Sequence, residues 1–176
     1  MCIRDRLVYT GRAGGSNHVH SGGAANHLCM PLDLEYTLPY QAGVLDYTYV
    51  YGTEYEAPLQ GSNNHNVPCA VCYVSTRETV LMIPAKTSCP TSWTREYYGY
   101  LMSAYREHHG SHYECVNGDQ ESLLGSQANT KCALFHHVEA NCNGMPCPPY
   151  DPQKELNCVV CTVVLMLCAL IPRCSG

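Results

Sequence analysis

The sequence predicts an all-β fold made of two tandem pseudo-repeated β subdomains, each of which is cross-linked internally by disulfide bonds. Three observations support this fold class. Thirteen of the 176 residues are cysteines, which is close to the density of disulfide scaffolds. The apolar runs are short and rich in Val, Tyr and Thr, as is typical of strands. A pattern of Gly, Cys and acidic residues occurs twice along the chain, which indicates an internal duplication.

Five runs are predicted to be strands because β-branched and aromatic residues fill them and turn-forming residues bound them. Only SAYREHHG at 103–110 has helical character. Extending a helix backwards from it would include Gly99, which costs about 1 kcal/mol in a helix. Segments 11–26, 60–68 and 143–153 are rich in Gly, Asn and Pro and are predicted to be loops. The predicted strands are VLDYTYVY at 44–51, AVCYVST at 70–76, TVLMIPA at 79–85, WTREYYGYLM at 93–102 and KCALFHHVEA at 131–140.

The composition predicts a compact secreted module. The chain has 14 Tyr, one Trp, one Phe and 14% charged residues, and dense cysteine is typical of the extracellular space. The net charge is −5, and the ten Lys and Arg residues are scattered. Because no basic stripe is present to neutralise phosphates, nucleic-acid binding is not expected.

The two ends differ from the rest of the sequence. MCIRDR at 1–6 resembles translated adapter sequence, lacks the features of a signal peptide and is predicted to be a non-native leader. The apolar run VVCTVVLMLCALI at 159–171 is too short for a membrane span, which needs about 20 residues. A buried final strand, an interface segment and an unnatural tail all remain open for it. We therefore treat 163–176 as an apolar tail of unclear origin and expect no membrane span.

The repeat predicts two subdomains, at 7–74 and 75–162. The matched positions lie between 83 and 89 residues apart, and the insertion CNGMPCPPYDPQKE before the last C-x-x-C absorbs the difference. The matched features are Tyr9-x-Gly11 with Tyr97-x-Gly99, Cys29 with Cys115, Asp33 and Glu35 with Asp119 and Glu121, Glu56-Ala57 with Glu139-Ala140, and the pair Cys69 and Cys72 with Cys158 and Cys161.

Cysteine pairing follows from the repeat, since two halves that fold alike need the same internal bonds. We predict Cys115 with Cys158, Cys89 with Cys161, Cys29 with Cys69, and Cys142 with Cys147 inside the inserted loop. In the chain-entropy model, closing the long loops stabilises by about 4 kcal/mol per bond. The pairing of Cys72 is uncertain, with Cys2 as the candidate partner, and Cys132, Cys168 and Cys174 stay unassigned.

Other uses of the C-x-x-C pairs fit the sequence less well. Structural zinc sites place such pairs about 15 to 20 residues apart, far closer than Cys69 and Cys158. A redox C-x-x-C opens a helix in a βαβ unit, whereas CAVCYVST continues as a strand. We therefore predict structural disulfides, with zinc binding and thiol exchange as the alternatives.

The histidines are predicted to lie on the surface without a metal or a catalytic role. His18 and His20 would share a face if they lay in a strand and would then converge on one ion. Their Gly- and Ser-rich surroundings favour a loop instead. No nucleophile-elbow pattern G-x-S-x-G is present, so we expect no enzyme activity, no catalytic residue and no cofactor. The other histidines that suggest a metal site are His108, His109, His112, His136 and His137.

Taken together, several motifs resemble a known family. CAVCYVSTRETVLMIPAKTSCPTSWTREYYGYLM resembles the centre of the C-terminal non-collagenous domain of type IV collagen. GRAGGSNHVHSGGAANHLCMPLDLEY, NVPCAVCYVSTR and HVEANCNGMPCPPYDPQKELNCVVCT more closely resemble the C-terminal domains of short-chain, spongin-type collagens of sponges and similar invertebrate matrix proteins. The resemblance covers about residues 7–162, although the chain has no Gly-X-Y run.

The resemblance implies a duplicated, disulfide-bonded all-β module of the extracellular matrix that trimerises and aligns collagen chains. Its expected partners are like chains, in a homo- or heterotrimer, and other matrix components. The disulfide pattern of the type IV collagen domain agrees with the pairing that the repeat predicts. The alternative is a monomeric secreted binding or adhesion module, lectin-like in function, that shares the fold.

Overall fold

The computed structural model describes residues 6–36, 48–57 and 61–164. Within these ranges the chain forms nine strands and no helix, which confirms the all-β prediction. The strands are β1 (Arg6–Gly15), β2 (Leu28–Pro31), β3 (Tyr51–Tyr55), β4 (Pro68–Tyr73), β5 (Thr79–Pro84), β6 (Thr94–Ser103), β7 (Glu114–Asn117), β8 (Ala133–His137) and β9 (Asn157–Val163). None of the described residues forms a helix long and apolar enough to cross a membrane.

The nine strands form one curled sheet in the order β2-β1-β3-β8-β6-β9-β5, with β4 paired to β1 and β7 paired to β6. The first half of the chain supplies β1 to β4 and the second half supplies β5 to β9. The two halves meet where β3 and β8 run parallel, with Thr53 opposite Ala133 and Tyr55 opposite Phe135. All other pairs are antiparallel.

The long strands β1 and β6 have matching neighbours. Strand β1 pairs with β2, β3 and β4, and β6 pairs with β7, β8 and β9. The register shifts between Leu7 and Tyr9 on β1 and between Arg95 and Tyr97 on β6. A bulge therefore lies immediately before the matched tyrosine in each half.

Backbone hydrogen bonds outside the strand ladders also match. The Ala13 amide donates to the Val67 carbonyl at 3.0 Å, and the Leu101 amide donates to the Leu156 carbonyl at 2.9 Å. In turn, the Val67 amide donates to Thr53 at 3.0 Å, and the Leu156 amide donates to Val138 at 2.8 Å. The same path of the backbone is thus followed in both halves, although the side chains along it differ.

One apolar core serves both halves. The first half contributes the buried residues Ala13, Tyr55, Ala57 and Val67. The second half contributes Met102 and Phe135, with Tyr100 and Val116 packed against them. The predicted segments 7–74 and 75–162 therefore pack into each other around the β3–β8 pair and bury a common set of side chains.

A buried carboxylate reinforces this junction. Glu54 on β3 is 1% exposed, and it accepts hydrogen bonds from the Thr130 amide at 3.0 Å and the Lys131 amide at 3.1 Å. The Thr130 hydroxyl is a third donor to the same carboxylate. Because Asn129 and Lys131 have positive φ angles of 49° and 52°, the carboxylate holds a strained turn of the second half against the first.

Some sequence predictions need correction. Segment 103–110 does not form a helix. Ser103 is the last residue of β6 and the last buried residue of that strand, and 104–110 form a turn after it. Strand β1 runs through the Gly-rich start of the predicted loop at 11–26 as far as Gly15. Of the predicted strand at 44–51, 44–47 lie outside the described residues, and of the described part 48–51 only Tyr51 is in a strand. Of the run at 159–171, β9 takes the part up to Val163. Of the predicted leader at 1–6, Arg6 begins β1 and 1–5 lie outside the described residues; of the predicted tail at 163–176, Val163 ends β9 and 165–176 lie outside them.

Replacing Gly99 with Ala should destabilise the protein by about 2 to 3 kcal/mol, the cost of overpacking. A Cβ at Gly99 would lie 1.9 Å from the Val116 carbonyl oxygen, so β6 and β7 would have to separate. Gly52 on β3 is the matched control, because a Cβ there meets nothing within 4 Å, and Gly52→Ala should stay within about 0.5 kcal/mol of wild type. Urea unfolding of the oxidised proteins measures both, and equal losses would contradict the close approach of β7 to β6.

Candidate functional site

Two disulfides join strands that are not neighbours in the sheet. Cys115 on β7 bonds to Cys158 on β9, with Cα atoms 5.7 Å apart, although β6 lies between these strands. Strands two positions apart in a flat sheet are separated by about 9.5 Å, and a disulfide spans at most about 7 Å between Cα atoms. The sheet must therefore curl at β6 to bring the two cysteines together.

Gly99 is the residue that permits this curl. It pairs with Asn117 on β7 and with Cys158 on β9, and its missing side chain lets the Val116 carbonyl approach the β6 backbone. Gly11 on β1 has the same role, since a Cβ there would lie 2.0 Å from the Met30 carbonyl oxygen. In each half, a glycine on the long strand thus lies where the neighbouring strand, β2 or β7, folds over it.

The first half contains the corresponding bond across β1. Cys29 on β2 bonds to Cys69 on β4 with Cα atoms 5.7 Å apart, and Gly11 pairs with Cys69 on one side and Pro31 on the other. Sequence separations of 40 and 43 residues make this bond and Cys115–Cys158 closely similar.

The matched tyrosines complete the two curled units. The Tyr9 hydroxyl donates to the Cys29 carbonyl at 3.1 Å, and the Tyr97 hydroxyl donates to the Cys115 carbonyl at 3.0 Å. Each hydrogen bond ties the long strand to the cysteine of the strand that folds back onto it. Burial, with a smaller contribution from Glu114, raises the pKa of Tyr97 from 10.0 to about 12.

Two further disulfides lie in the second half. Cys89 bonds to Cys161 with Cα atoms 5.9 Å apart, and Cys142 bonds to Cys147 within the inserted loop at 5.6 Å. Cys29–Cys69, Cys115–Cys158 and Cys89–Cys161 coincide with the pairing that the repeat predicts, and Cys142–Cys147 coincides with the pair predicted inside the inserted loop. Disulfide bonding as such is thereby confirmed.

The remaining cysteines divide into three cases. Cys72 is disulfide-bonded, and its predicted partner Cys2 lies outside the described residues, as do Cys168 and Cys174. Cys132 is a free, half-buried thiol that lies 3.7 Å from the Thr130 carbonyl.

A cavity of about 310 Å³ lies at the junction of the two halves. The loop after β1 forms one wall, and the turn after β6 forms the other. The lining combines alanine, glycine and leucine with serine, asparagine and histidine side chains, and no Lys, Arg, Asp or Glu takes part in it. The polar lining residues are Ser16, Asn17, His18, His20, Ser21, His27, His109 and Ser111.

Three histidines from separate parts of the chain come together beside this cavity. The ring centroids of His18 and His108 are 4.5 Å apart, and those of His108 and His136 are 5.7 Å apart. Tyr105 packs on both His108 and His136 at 5.3 and 5.4 Å. We call His18, His108, His136 and Tyr105 the imidazole cluster.

Protonation of His136 and His108 is suppressed. Burial, assisted by the positive charge that His108, His18 and His137 would carry, lowers the pKa of His136 to about 4. Burial and His18 likewise lower the pKa of His108. At neutral pH the His108 and His136 rings are therefore uncharged.

His18 and His20 do not converge as the metal hypothesis requires. They lie in a turn, where His18 contacts Cys132 and His108 and His20 contacts Tyr51. Among the described residues, no group of three or more His, Cys, Asp or Glu side chains is arranged to hold a metal ion. The expectation that the chain has no enzyme activity stays a prediction.

Sequence reasoning missed the imidazole cluster. Its members lie in both predicted subdomains, and no short motif relates a loop residue of the first half to β8. The only available signal was the density of histidine, nine residues in all. Pairing of β3 with β8 decides the contact, and periodicity within one half cannot reveal it.

None of the known protein families, curated proteins or solved structures compared with this chain matches it. Its function has to be inferred from its own residues and contacts.

Removing the Cys115–Cys158 bond with paired serines should lower the free energy of unfolding by about 4 kcal/mol, because it closes a loop of 43 residues. The paired serine variant of Cys142 and Cys147 is the control, and its 5-residue loop predicts a loss of about 2 kcal/mol. Denaturant unfolding with mass-verified oxidation measures both. A larger loss from the short loop would contradict a stabilising role for the bond across β6.

The two core tyrosines should make the protein sensitive to alkali. Burial raises the pKa of Tyr55 and Tyr97 from 10.0 to about 12. Unfolded tyrosine loses its proton earlier, so stability is complete below pH 10 and falls as the pH rises towards 12. Tyrosinate absorbance should show two late-titrating groups, one of which disappears in Tyr97→Phe. Tyr9→Phe, which alters the exposed counterpart, should leave both in place.

Proposed function

We propose that this chain is a C-terminal assembly domain of an extracellular matrix protein, of the kind found in short-chain, spongin-type collagens. In this function three chains associate through the domain and become aligned for collagen folding. The proposal includes a tandem duplication, with units at 7–74 and 75–162 related to the C-terminal domain of type IV collagen.

The curled unit that occurs twice carries this proposal. In each half a glycine, a tyrosine hydroxyl and a disulfide act on the same three strands, as Gly11, Tyr9 and Cys29–Cys69 do in the first. The second half repeats the set with Gly99, Tyr97 and Cys115–Cys158. Chance would not reproduce a strained approach, its covalent bond and its hydrogen bond together, so duplication is the simplest origin.

The disulfides favour an extracellular location. Four pairs are closed in the described part of the chain, and Cys72 is bonded as well. Such a set persists in oxidising compartments and is rare in the cytosol. Secretion into the matrix is consistent with this chemistry.

Exposed apolar side chains at the sheet edges are the proposed contact surfaces between chains. Strand β5 pairs only with β9 among the described strands, and its Val80 and Leu81 are 63% and 39% exposed. Leu7 and Val8 on β1 are also exposed. An edge strand with apolar side chains is suited to association with another chain, and head-to-tail contacts of this type close into a ring when the rotation allows.

The alternative function is a monomeric secreted binding or adhesion module. The polar cavity of about 310 Å³ favours this alternative, because its volume is near the lower limit of ligand pockets. The two proposals predict different masses in solution.

Multi-angle light scattering of the oxidised protein at micromolar concentration should give three chain masses. Val80→Glu should dissociate the trimer, because it places a charge on the exposed edge strand. Val19→Glu is the matched control, since Val19 is 61% exposed in a loop and Val80 is 63% exposed. A stable wild-type monomer would exclude assembly and favour the binding module. Equal effects of the two variants would exclude β5 as the interface.

A further inference from the structure

The imidazole cluster fastens a loop of the first half to the second half. His18 lies in the loop 16–27 that follows β1, His108 lies in the turn that follows β6, and His136 belongs to β8. The His108 ring makes edge contacts with the His18 ring and with the His136 ring. Among the described residues of loop 16–27, only His18 belongs to a cluster of rings that come from three separate segments of the chain.

Backbone hydrogen bonds surround this contact. The His18 amide donates to the Cys132 carbonyl at 2.9 Å, and the His109 amide donates to the His18 carbonyl at 3.3 Å. The His112 amide donates to Ala25 at 2.9 Å near the other end of the loop. The loop is thus held at both ends by residues of the second half, with the rings between these attachment points.

The hydrogen bonding of the rings defines their neutral form. His18 Nδ1 lies 3.0 Å from the Cys132 carbonyl oxygen, which accepts only, so Nδ1 carries the proton. His108 Nδ1 and His136 Nε2 are buried and have no hydrogen-bond partner in the described structure. A proton added at either atom would create a buried cation without an acceptor, beside a second imidazole.

We propose that the imidazole cluster is an acid-sensitive latch, which holds loop 16–27 against the second half while the rings are neutral and releases it when they become protonated. Release removes one wall of the cavity and exposes the attachment points at Cys132 and His112. The latch is independent of the proposed matrix function.

Some charged groups around the cluster oppose protonation of its rings and others favour it. His109 and His137 add further positive charge on protonation, and Glu56 and Glu107 favour protonation of His108. The Glu107 carboxylate also forms an ion pair with Arg106, whose Nε lies 3.3 Å from Oε1 of Glu107. Arg106 also packs on the Tyr105 ring. Glu155 favours protonation of His137.

The pH range of the latch follows from the direction of these shifts. The closed state lowers the pKa of His136 from 6.5 to about 4, so the open state binds the additional proton. Closure is therefore complete above about pH 6.5 and weakens as the pH falls towards 4. The bonded sheet beneath the loop stays folded, because its disulfides do not titrate.

Hydrogen exchange of the full-length oxidised protein at pH 7.4 and 5.0, in EDTA and corrected for intrinsic rates, tests the latch. The amides of His18, His109 and His112 should lose roughly tenfold in protection at pH 5.0. Amides of β9 should show no change. Uniform protection at the two pH values would overturn the proposal.

His136→Phe keeps an aromatic ring at the site and removes a nitrogen that has no partner, so most of the loss of protection at pH 5.0 should disappear and only the part due to His108 should remain. His20→Phe is the matched control in the same loop, and it should respond to pH as wild type does. A normal pH response in His136→Phe would overturn the latch. If His136→Phe fails to fold, the NMR titration of His136 in the wild type decides, and a pKa at or above 6.5 would overturn the proposal.

Discussion

A disulfide cannot span two strand spacings of a flat sheet, and this constraint shapes the whole molecule. Cys29–Cys69 and Cys115–Cys158 each reach across a strand with Cα atoms 5.7 Å apart, so the sheet has to fold over at β1 and at β6. Only glycine allows the backbones to come that close, because a Cβ would overlap a carbonyl oxygen. Curl, glycine and disulfide are therefore one feature, and it occurs in both halves of the chain.

The sequence predicted those parts of the fold that recur within it. The pairing of Cys29 with Cys69 could be inferred because the same spacing occurs again in the second half, and the strand at 94–103 could be inferred from its aromatic and apolar residues. The extent of β1 could not be inferred, since its Gly-Arg-Ala-Gly-Gly segment has the composition of a loop. Nothing local distinguishes a glycine that permits a turn from one that permits close approach of another strand.

The junction between the halves could not be predicted from the sequence either, because it is formed by contacts between segments that the repeat does not relate to each other. Strand β3 pairs in parallel with β8, and no repeat or periodicity specifies that pairing. Buried polar chemistry concentrates there, with the Glu54 carboxylate bound to Thr130 and Lys131 and the imidazole cluster close by. The repeats thus supply the covalently bonded parts of the fold, and the junction supplies a buried carboxylate and the imidazole cluster.

The long disulfide loops also determine how the protein responds to mechanical force. Cys89–Cys161 encloses 72 residues and Cys29–Cys69 encloses 40. Tension applied outside these loops passes through the sulfur–sulfur bonds and cannot straighten the chain inside them. At about 3.4 Å per extended residue, the larger loop alone prevents on the order of 240 Å of chain from extending under tension. Under load the chain inside these loops therefore does not extend, and chemical reduction would release it.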